Sequence, residues 1–284
     1  MENKFLKNFG IKNVPTWCPG CGNFMIQSAL KNALVSEGFS PKNTVMVFDV
    51  GCNGNGADKI EGNTVHGLHG RAISLAAGAA IANSGMKVIA SSGDGATFSE
   101  GPGHLIHAIR NNYPMIFILH NNENYGLTTG QASALTKKGA KMNASPDGVY
   151  LEPINAMRFV LSLHPSFAAR TFSGDIAHMT AIFKEALKHD GFAFVEVLQS
   201  CPTYNRATPE SWYKERVKYL KEDHDASDIL AAGRLADDLE KEIYLGIFYK
   251  DSSRESFLKM IPNRKNVKTV LKDEVKGYNA VEYL

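Results

Sequence analysis

The chain has 284 residues, of which 44% are hydrophobic and 21% charged. These values are ordinary for a globular protein with a sizeable core, and they exclude a mainly disordered chain. Lys and Arg number 31 against 29 Asp and Glu, a formal net charge of +2. Because this balance gives no general affinity for nucleic acid or for an anionic membrane, we expect neither as a partner.

The N-terminal sequence lacks the apolar run of a signal peptide, and no stretch of about 18 apolar residues occurs along the chain. We therefore expect a cytoplasmic protein. In a reducing compartment cysteines serve as buried thiols, redox thiols or metal ligands rather than as a disulfide network. The chain has four of them, Cys18, Cys21, Cys52 and Cys201.

A helix is predicted first, over residues 23–36. Short apolar runs rich in Val, Ile and Phe then alternate with stretches of helical spacing. The predicted strands are 44–50, 86–92, 115–120, 168–173 and 192–198, and the predicted helices between them are 71–85, 103–112, 151–164 and 175–189. Gly85 is expected to end the first of these helices and Asp175 to open the last. The repeated order predicts an α/β fold, a parallel β-sheet with helices on both faces.

The segments outside this repeat suggest how the chain is divided. We expect an N-terminal segment with a cysteine turn (1–43), an α/β domain (44–204) and a C-terminal extension (205–284), in which residues 242–250 have the composition of a strand. Residues 121–150 form a long loop without a strand of its own. A loop of that length inside a compact domain is usually functional.

Polar motifs follow two of the predicted strands. Gly93-Asp94-Gly95 comes after strand 86–92, and Asn122 lies just beyond strand 115–120. Both side chains can emerge at the same sheet edge, where the glycines allow backbone N–H groups to approach a phosphate. Carboxylate and amide oxygens suit Mg²⁺. A Gly-Asp-Gly turn alone is commonly an ordinary strand-to-helix connection, so the predicted metal and diphosphate site depends on both halves.

Cysteine spacing gives a second candidate site. Cys18 and Cys21 form a CxxC turn, while Cys52 and Cys201 each follow the carboxyl end of a predicted strand, at the same edge as Asp94. Four thiolates can bind a [4Fe-4S] cluster or a tetrahedral zinc ion. A CxxC turn alone is also compatible with a redox dithiol.

The Gly-Asp-Gly turn with an Asn pair after an apolar strand resembles the cofactor motif of the thiamine diphosphate enzymes. This resemblance implies that Asp94 and Asn122 bind Mg²⁺ through their side chains and that Asn124 does so through its backbone carbonyl. It also implies that Gly95 and Ala96 lie along the diphosphate.

Six motifs taken together resemble the beta subunit of the 2-oxoacid:ferredoxin oxidoreductases, over roughly residues 15–210. They are WCPGCG (17–22), VGCN (50–53), LHGR (68–71), GDG (93–95), YGLTTGQ (125–131) and CPTYN (201–205). The resemblance implies that the four cysteines hold a single [4Fe-4S] cluster close to thiamine diphosphate. It therefore favours a cluster over zinc.

The same resemblance implies further cofactor contacts. His69 and Gly70 would contact the diphosphate, since a helix N-terminus and an imidazole N–H both suit anions. Residues 51–53 would pass near the cofactor ring, and residues 126–128 would form the wall behind the diphosphate. The full expected cofactor-binding set is Val50, Gly51, Cys52, Asn53, Leu68, His69, Gly70, Gly93, Asp94, Gly95, Ala96, Asn122, Tyr125, Gly126, Leu127 and Thr128.

The activity that this resemblance implies is coenzyme A-dependent oxidative decarboxylation of a 2-oxoacid to an acyl-CoA and CO₂, with ferredoxin as electron acceptor. The substrate would be 2-oxoglutarate or pyruvate, and the physiological direction stays open. Only the diphosphate-binding half of a thiamine enzyme is recognisable here. The Glu that activates the aminopyrimidine is therefore expected on an alpha subunit, in an αβ or (αβ)₂ assembly, and the chain alone is expected to be inactive.

Two other functions are compatible with part of the pattern. A non-redox thiamine diphosphate decarboxylase or synthase subunit would not need the cysteines, and a non-catalytic metal-cluster scaffold would not need Gly-Asp-Gly. Two features depart from the family, namely Glu100, where a small residue is expected, and the loop 132–150. Glu100, His104 and His107 have helical spacing, which we interpret as an exposed face rather than a metal site.

Overall fold

Eight strands form one sheet through the middle of the protein, in a computed structural model that describes residues 9–267 and 269–277. They are β1 (Thr44–Phe48), β2 (Asn63–His66), β3 (Lys87–Gly93), β4 (Met115–Asn121), β5 (Phe167–Phe172), β6 (Phe192–Leu198), β7 (Val217–Tyr219) and β8 (Ile243–Lys250). Their order across the sheet is β2-β1-β3-β4-β6-β5-β8-β7. Neighbouring strands are parallel except β5 and β8. The predicted α/β fold is confirmed, with an antiparallel β8 as the difference.

Helices cover both faces of this sheet. They are α1 (Asn23–Ser36), α2 (Ala72–Ala82), α3 (Pro102–Asn111), α4 (Ala156–Ser162), α5 (Ile176–Lys188), α6 (Glu210–Arg216), α7 (Ile229–Ala236), α8 (Phe257–Met260) and α9 (Leu271–Glu274). Short 3₁₀ turns lie at Asn53–Gly56 and Val275–Gly277, and a π-helical turn lies at Ala96–Glu100. Helices α1 and α5 pack on one face, and α2, α3, α4 and α7 on the other.

The side chains of β4 show how the sheet divides the core in two. Phe117 packs with residues of α2 and α3, whereas Ile116 and Ile118 pack with residues of α1 and α5. Every residue of β4 and of β6 is buried. Strands covered on both faces need apolar residues at nearly every position, which is why these segments are continuous apolar runs in the sequence.

The ends of two predicted elements differ from the structure. The strand predicted over 44–50 ends at Phe48, because Asp49 begins a turn in which its own carboxylate accepts the N–H of Val50. Of the helix predicted over 151–164, only the part that forms α4 is helical in the structure. It begins where the Asn155 side chain accepts a hydrogen bond from the N–H of Arg158, 3.1 Å away, and so caps it.

The prediction that Gly85 ends a helix was wrong. Helix α2 stops at Ala82, and its C-cap is Asn83, whose extended backbone (φ −144°) breaks the helix before Gly85 is reached. The sequence analysis also missed β2, because the segment NTVH is exposed and has no apolar run. The strand expected over 242–250 is confirmed as β8, and the loop 121–150 contains no strand, as predicted.

The C-terminal residues continue the sheet beyond the α/β repeat. Strand β8 pairs with β5 on one side and with β7 on the other. Tyr213 of α6 is buried against Phe172 and Leu198 at the ends of β5 and β6. The domain division at residue 205 stays a prediction, since this packing joins the two parts of the chain.

The order of the strands opens a crevice at one end of the sheet. Strands β1 and β3 are neighbours in the sheet. The chain that leaves β1 returns as β2 on one side of this pair, whereas the chain that leaves β3 returns as β4 on the other side, so the two connections diverge. Ligands of open α/β sheets bind at such a point, outside the carboxyl ends of the strands. Asn53 Nδ2 donates a hydrogen bond of 2.8 Å to the carbonyl of Ser91 and spans the base of this crevice.

Within the described residues, no helix combines the length and apolar composition needed to cross a lipid bilayer.

Asp175 was predicted to open a helix, and its side chain caps α5 by accepting the N–H of His178 at 2.9 Å. It also accepts the hydroxyl of Tyr219. We expect Asp175→Ala to lower the free energy of unfolding by about 1–2 kcal/mol, because the cap is lost. Urea unfolding of the purified protein measures this. The exposed Asp223→Ala serves as control, and an equal effect of the two substitutions would contradict the capping role.

Candidate functional site

A cleft lies at the carboxyl ends of β1, β3 and β4, where the divergent connections leave space. Its lining contains most of the residues that the sequence predicted for cofactor binding, namely Val50, Gly51, Cys52, Asn53, His69, Gly93, Gly95, Ala96, Asn122, Tyr125, Gly126, Leu127 and Thr128, and it contains Asn124, which was predicted as a magnesium ligand. It also contains Asn23, His120 and Gln199, which the sequence analysis missed. The structure thus brings the predicted residues together, while their roles in binding stay predictions.

Three of the predicted residues do not line the cleft. Leu68 is exposed, Gly70 lies behind the cleft wall, and Asp94 is buried beneath it. A role for Leu68 in cofactor binding stays a prediction. Asp94 and Gly70 are positioned by hydrogen bonds of their own.

Asp94 is fully buried at the end of β3. Its carboxylate accepts hydrogen bonds from the hydroxyl of Ser133 and from backbone N–H groups, including that of Asn122. Burial raises the pKa of Asp94 to about 7, although these hydrogen bonds act in the opposite direction. In the described part of the chain no cationic side chain forms an ion pair with it. A bound cation would satisfy this carboxylate.

The loop after β4 places amide groups next to Asp94. Asn124 donates from its backbone N–H to Asn122 Oδ1 (3.2 Å) and from Nδ2 to the carbonyl of Asn122 (2.9 Å), and that carbonyl also accepts from Asn205 Nδ2 at 3.0 Å. Asn124 Oδ1 is buried without a hydrogen-bond partner among the described residues. A buried amide oxygen of this kind is commonly paired with water or an ion.

This group of oxygens fits Mg²⁺. The ion needs only one or two carboxylates from a protein and completes its octahedron with phosphate oxygens and water. Asp94 would supply one carboxylate, and the adjacent Asn122–Asn124 loop has amide and carbonyl oxygens that would serve as further ligands. Mg²⁺ binding itself stays a proposal.

Asp49 stabilises the wall of the cleft that lies opposite Asp94 and the Asn122–Asn124 loop. The sequence analysis missed this residue. Its Oδ1 accepts the N–H groups of Val50 and Gly70, both at 2.8 Å, and its Oδ2 accepts the N–H of Ala72 at 3.2 Å. Gly70 adopts φ +70°, which favours glycine. The carboxylate therefore fixes the turn that carries His69. Its position directly after β1 was the only sequence signal.

A neutral polar cluster forms the floor of the cleft. His120 Nε2 lies 2.8 Å from Ser91 Oγ, and His120 Nδ1 lies 2.9 Å from Asn23 Oδ1. Gln199 Nε2 donates to the same Asn23 oxygen at 3.1 Å. Burial lowers the pKa of His120 to about 4, so the imidazole is neutral near pH 7. Sequence reasoning missed this cluster because its four residues come from four separate segments.

The cysteines gather beside this cleft. A Cβ atom added to Gly126 would lie 3.2 Å from Cys52 Sγ and 3.8 Å from Cys201 Sγ. The pKa of Cys52 is raised to about 12. Burial is the largest cause, and the other three thiols raise the pKa further. In Cys21, whose pKa rises to about 11, burial is again the largest cause and Cys18 and Cys201 contribute. Cys52 and Cys201 therefore lie close together beside the cleft, and all four thiols are free.

Tyr125 and His69 form the rim of the cleft, with ring centroids 6.1 Å apart. The Tyr125 hydroxyl donates to Glu100 Oε1 at 2.7 Å, and His69 Nδ1 lies 3.4 Å from Glu100 Oε2. Glu100 and His107 are exposed, as expected, whereas His104 is half-buried. Nevertheless, Glu100 contacts two residues of the site, which helical spacing could not reveal.

Comparisons with known families divide the chain into two parts. Residues 49–197 match the family described as thiamine pyrophosphate enzyme, C-terminal TPP binding domain. Residues 201–266 match the family that describes the C-terminal part of the pyruvate ferredoxin oxidoreductase beta subunit.

Individual proteins are similar over nearly the whole chain. The 2-oxoacid:ferredoxin oxidoreductase subunit beta of Saccharolobus solfataricus is 38% identical, over 87% of this chain and 86% of the relative. The 2-oxoglutarate synthase subunit KorB of Archaeoglobus fulgidus is 32% identical, over 90% and 92%. A solved structure, 2-oxoglutarate:ferredoxin oxidoreductase from Magnetococcus marinus with 2-oxoglutarate, coenzyme A and succinyl-CoA bound, has a TM-score of 0.88 at 30% identity and covers 100% of this chain and 96% of that chain.

The role of Asp49 can be tested by Asp49→Asn, which replaces one acceptor oxygen with an NH₂ group that faces N–H donors. We expect the free energy of unfolding to fall by about 1–3 kcal/mol. We also expect faster amide hydrogen exchange at residues 69–72, measured by mass spectrometry. The control is Asp147→Asn on the surface. Unchanged exchange in this turn would contradict the proposed fixing of His69.

Proposed function

The chain belongs to the beta subunits of the 2-oxoacid:ferredoxin oxidoreductases, and from this premise we propose that it provides the diphosphate site and an iron-sulfur cluster of such an enzyme. The reaction would be oxidative decarboxylation of a 2-oxoacid to an acyl-CoA and CO₂, with ferredoxin as electron acceptor. The observation that carries this proposal is the position of Gly126, which lines the cleft and also lies against Cys52 and Cys201.

The diphosphate would lie along the backbone of residues 93–96, with His69 on the opposite wall. Asp94, Asn122 and the carbonyl of Asn124 would hold Mg²⁺ between the protein and the phosphate oxygens. When bound there, thiamine diphosphate supplies a nucleophilic carbon and an electron sink for decarboxylation. His120 and Asn23 form a neutral floor with mutual hydrogen bonds, which would present no charge to a cofactor bound in the cleft.

We propose that the four cysteines hold an iron-sulfur cluster rather than a zinc ion, because the chain belongs to this family of oxidoreductases and has four free thiols. Cys52 and Cys201 both lie near Gly126, although the described residues contain no group of three or more His, Cys, Asp or Glu side chains placed to hold one metal ion. A cubane cluster spreads its four ligands over a larger volume than zinc does. Since Cys52 lines the cleft as well, the electron path from the cofactor to the cluster would be short.

Other parts of the enzyme would come from an alpha subunit. As a beta subunit, this chain implies partner subunits, and we propose that one of them contributes the activating Glu and completes the substrate pocket. Relatives named for 2-oxoglutarate, and the solved structure with 2-oxoglutarate and coenzyme A bound, support 2-oxoglutarate as the first substrate to test, with pyruvate as the alternative. A cytoplasmic site of action is part of the same proposal.

The test is anaerobic co-purification of the chain with its alpha subunit, followed by quantitation of iron, sulfide and thiamine and by viologen reduction with 2-oxoglutarate or pyruvate. We expect about four irons per chain and reduction that depends on coenzyme A. Thiamine without iron would indicate a non-redox decarboxylase, and metal without thiamine would indicate a scaffold. Turnover by the isolated chain would contradict the need for an alpha subunit.

Single substitutions should affect the two proposed cofactor sites independently of each other. In the co-purified complex, we expect Asp94→Asn to weaken thiamine diphosphate binding about tenfold or more while the iron content stays unchanged, because the metal loses its carboxylate. We expect Cys201→Ser to lower the iron content while thiamine diphosphate still binds. Dialysis titrations and iron assays measure these effects, with Asp147→Asn as control. Loss of both cofactors in a folded single variant would contradict two separate sites.

A further inference from the structure

Gln199 lies between the floor of the cleft and the turn that carries Cys21. It directly follows β6, is almost fully buried and belongs to the cleft lining. Its backbone N–H donates to the carbonyl of Asn121 at 2.8 Å. A Cβ atom added to Gly22 would lie 2.6 Å from Gln199 Cγ, so the cysteine turn packs directly against this side chain. The carboxamide of Gln199 is therefore held in one place by the elements around it.

The hydrogen bonds of the floor determine which way this carboxamide points. Its Oε1 lies 3.3 Å from His120 Nδ1, and Asn23 Oδ1 lies 2.9 Å from the same nitrogen. Because two amide oxygens face Nδ1, this nitrogen carries the hydrogen of the neutral imidazole, and Nε2 accepts from the Ser91 hydroxyl. A carboxamide turned by 180° would place its NH₂ group against this N–H and its oxygen against Asn23 Oδ1. The NH₂ group of Gln199 therefore faces away from His120.

The two hydrogens of this NH₂ group have separate acceptors. Gln199 Nε2 lies 3.1 Å from Asn23 Oδ1 and 3.5 Å from Cys21 Sγ. A primary amide supplies one N–H for each of these contacts. A thiolate accepts such a bond more strongly than a neutral thiol does, because the acceptor is then charged. One side chain thus joins the neutral floor of the cleft to a cysteine sulfur.

This N–H···S bond has a consequence for a cluster held by Cys21. The reduction potential of an iron-sulfur cluster depends on its net charge, its exposure to solvent and the hydrogen bonds to its sulfurs. Reduction adds one electron, and part of the added negative charge lies on the cysteine sulfurs. An N–H donor therefore stabilises the reduced cluster more than the oxidised one. Because Gln199 is almost fully buried, water screens this interaction little.

On the basis of the proposed iron-sulfur cluster, we propose that Gln199 is a positioning residue that acts through Cys21. Its side-chain amide donates to the cysteine sulfur and raises the reduction potential of the cluster that this sulfur holds. The same amide contacts His120 and Asn23 in the floor of the cleft. The potential of the cluster is therefore raised from the side that faces the cofactor, where the electrons originate.

The test compares the co-purified complex with its Gln199→Met variant, in which a side chain of similar length lacks the N–H donor. Anaerobic reductive titration followed by EPR spectroscopy gives the midpoint potential, and iron is assayed in the same samples. We expect unchanged iron content and an equilibrium constant for one-electron reduction that is about tenfold lower. This corresponds to a midpoint potential about 59 mV more negative. Looser packing alone would admit water and shift the potential in the opposite direction, because water stabilises the more highly charged reduced form.

Gln27→Met provides the matched control. Gln27 lies one helical turn beyond Asn23 on α1, and its Nε2 has no hydrogen-bond partner among the described residues. The midpoint potential of this variant should equal that of the wild-type complex. A second variant, Gln199→Glu, keeps the length of the side chain and replaces the donor with an oxygen, so its potential should also be more negative.

An unchanged or more positive potential in Gln199→Met would overturn the inference. Loss of iron from both Gln199 variants would overturn it as well, and would give Gln199 a role in cluster assembly instead. A wild-type complex that contains no iron would overturn the proposed function, and this inference with it.

Discussion

The buried carboxylate of Asp94 is the constraint on which the site depends. A carboxylate in a protein interior is costly unless hydrogen-bond donors or cations face it. Here the donors come from the connection after β4 and from Ser133, far along the same loop. They can meet Asp94 only because β3 and β4 are neighbours, with Gly93 opposite His120. The first part of the long loop therefore carries Ser133 back to Asp94.

A buried ion pair between two strands of the sheet stabilises the start of this loop. Arg170 Nε on β5 donates to Glu196 Oε2 on β6 at 2.7 Å, and Glu196 Oε1 accepts Asn121 Nδ2 at 2.8 Å. Asn121 directly precedes Asn122, so a fully buried ion pair fixes the start of the loop that faces Asp94. Removing one member of such a pair leaves an uncompensated charge and costs about 3–5 kcal/mol. Core stability and the geometry of the site are therefore coupled.

Much of the fold and of the site could be predicted from sequence, because continuous apolar runs reveal strands that are buried on both faces. Asp94, Asn122 and the cysteines could be singled out as candidates because each lies next to a strand end or in a recognisable turn. Asp49 was missed although it too follows a strand, because the predicted strand 44–50 included it. Its hydrogen bond to Gly70 and the contacts of Glu100 with His69 and Tyr125 join segments that are distant in sequence, so local patterns do not reveal them. The exposed β2 and the antiparallel direction of β8 likewise depend on tertiary pairing, which local patterns do not encode.

The position of β5 in the sheet has a consequence for biosynthesis. Its two neighbours, β6 and β8, are both synthesised after it, and β6 must enter between β4 and β5. On the ribosome, one edge of β5 therefore has no partner until β6 has been synthesised, and the other edge has none until the chain has reached residue 250. Long-range pairing of this kind folds slowly and exposes strand edges to aggregation. We expect soluble yield to depend on slow translation, chaperones and low expression temperature, and shortened chains that end before β8 to aggregate.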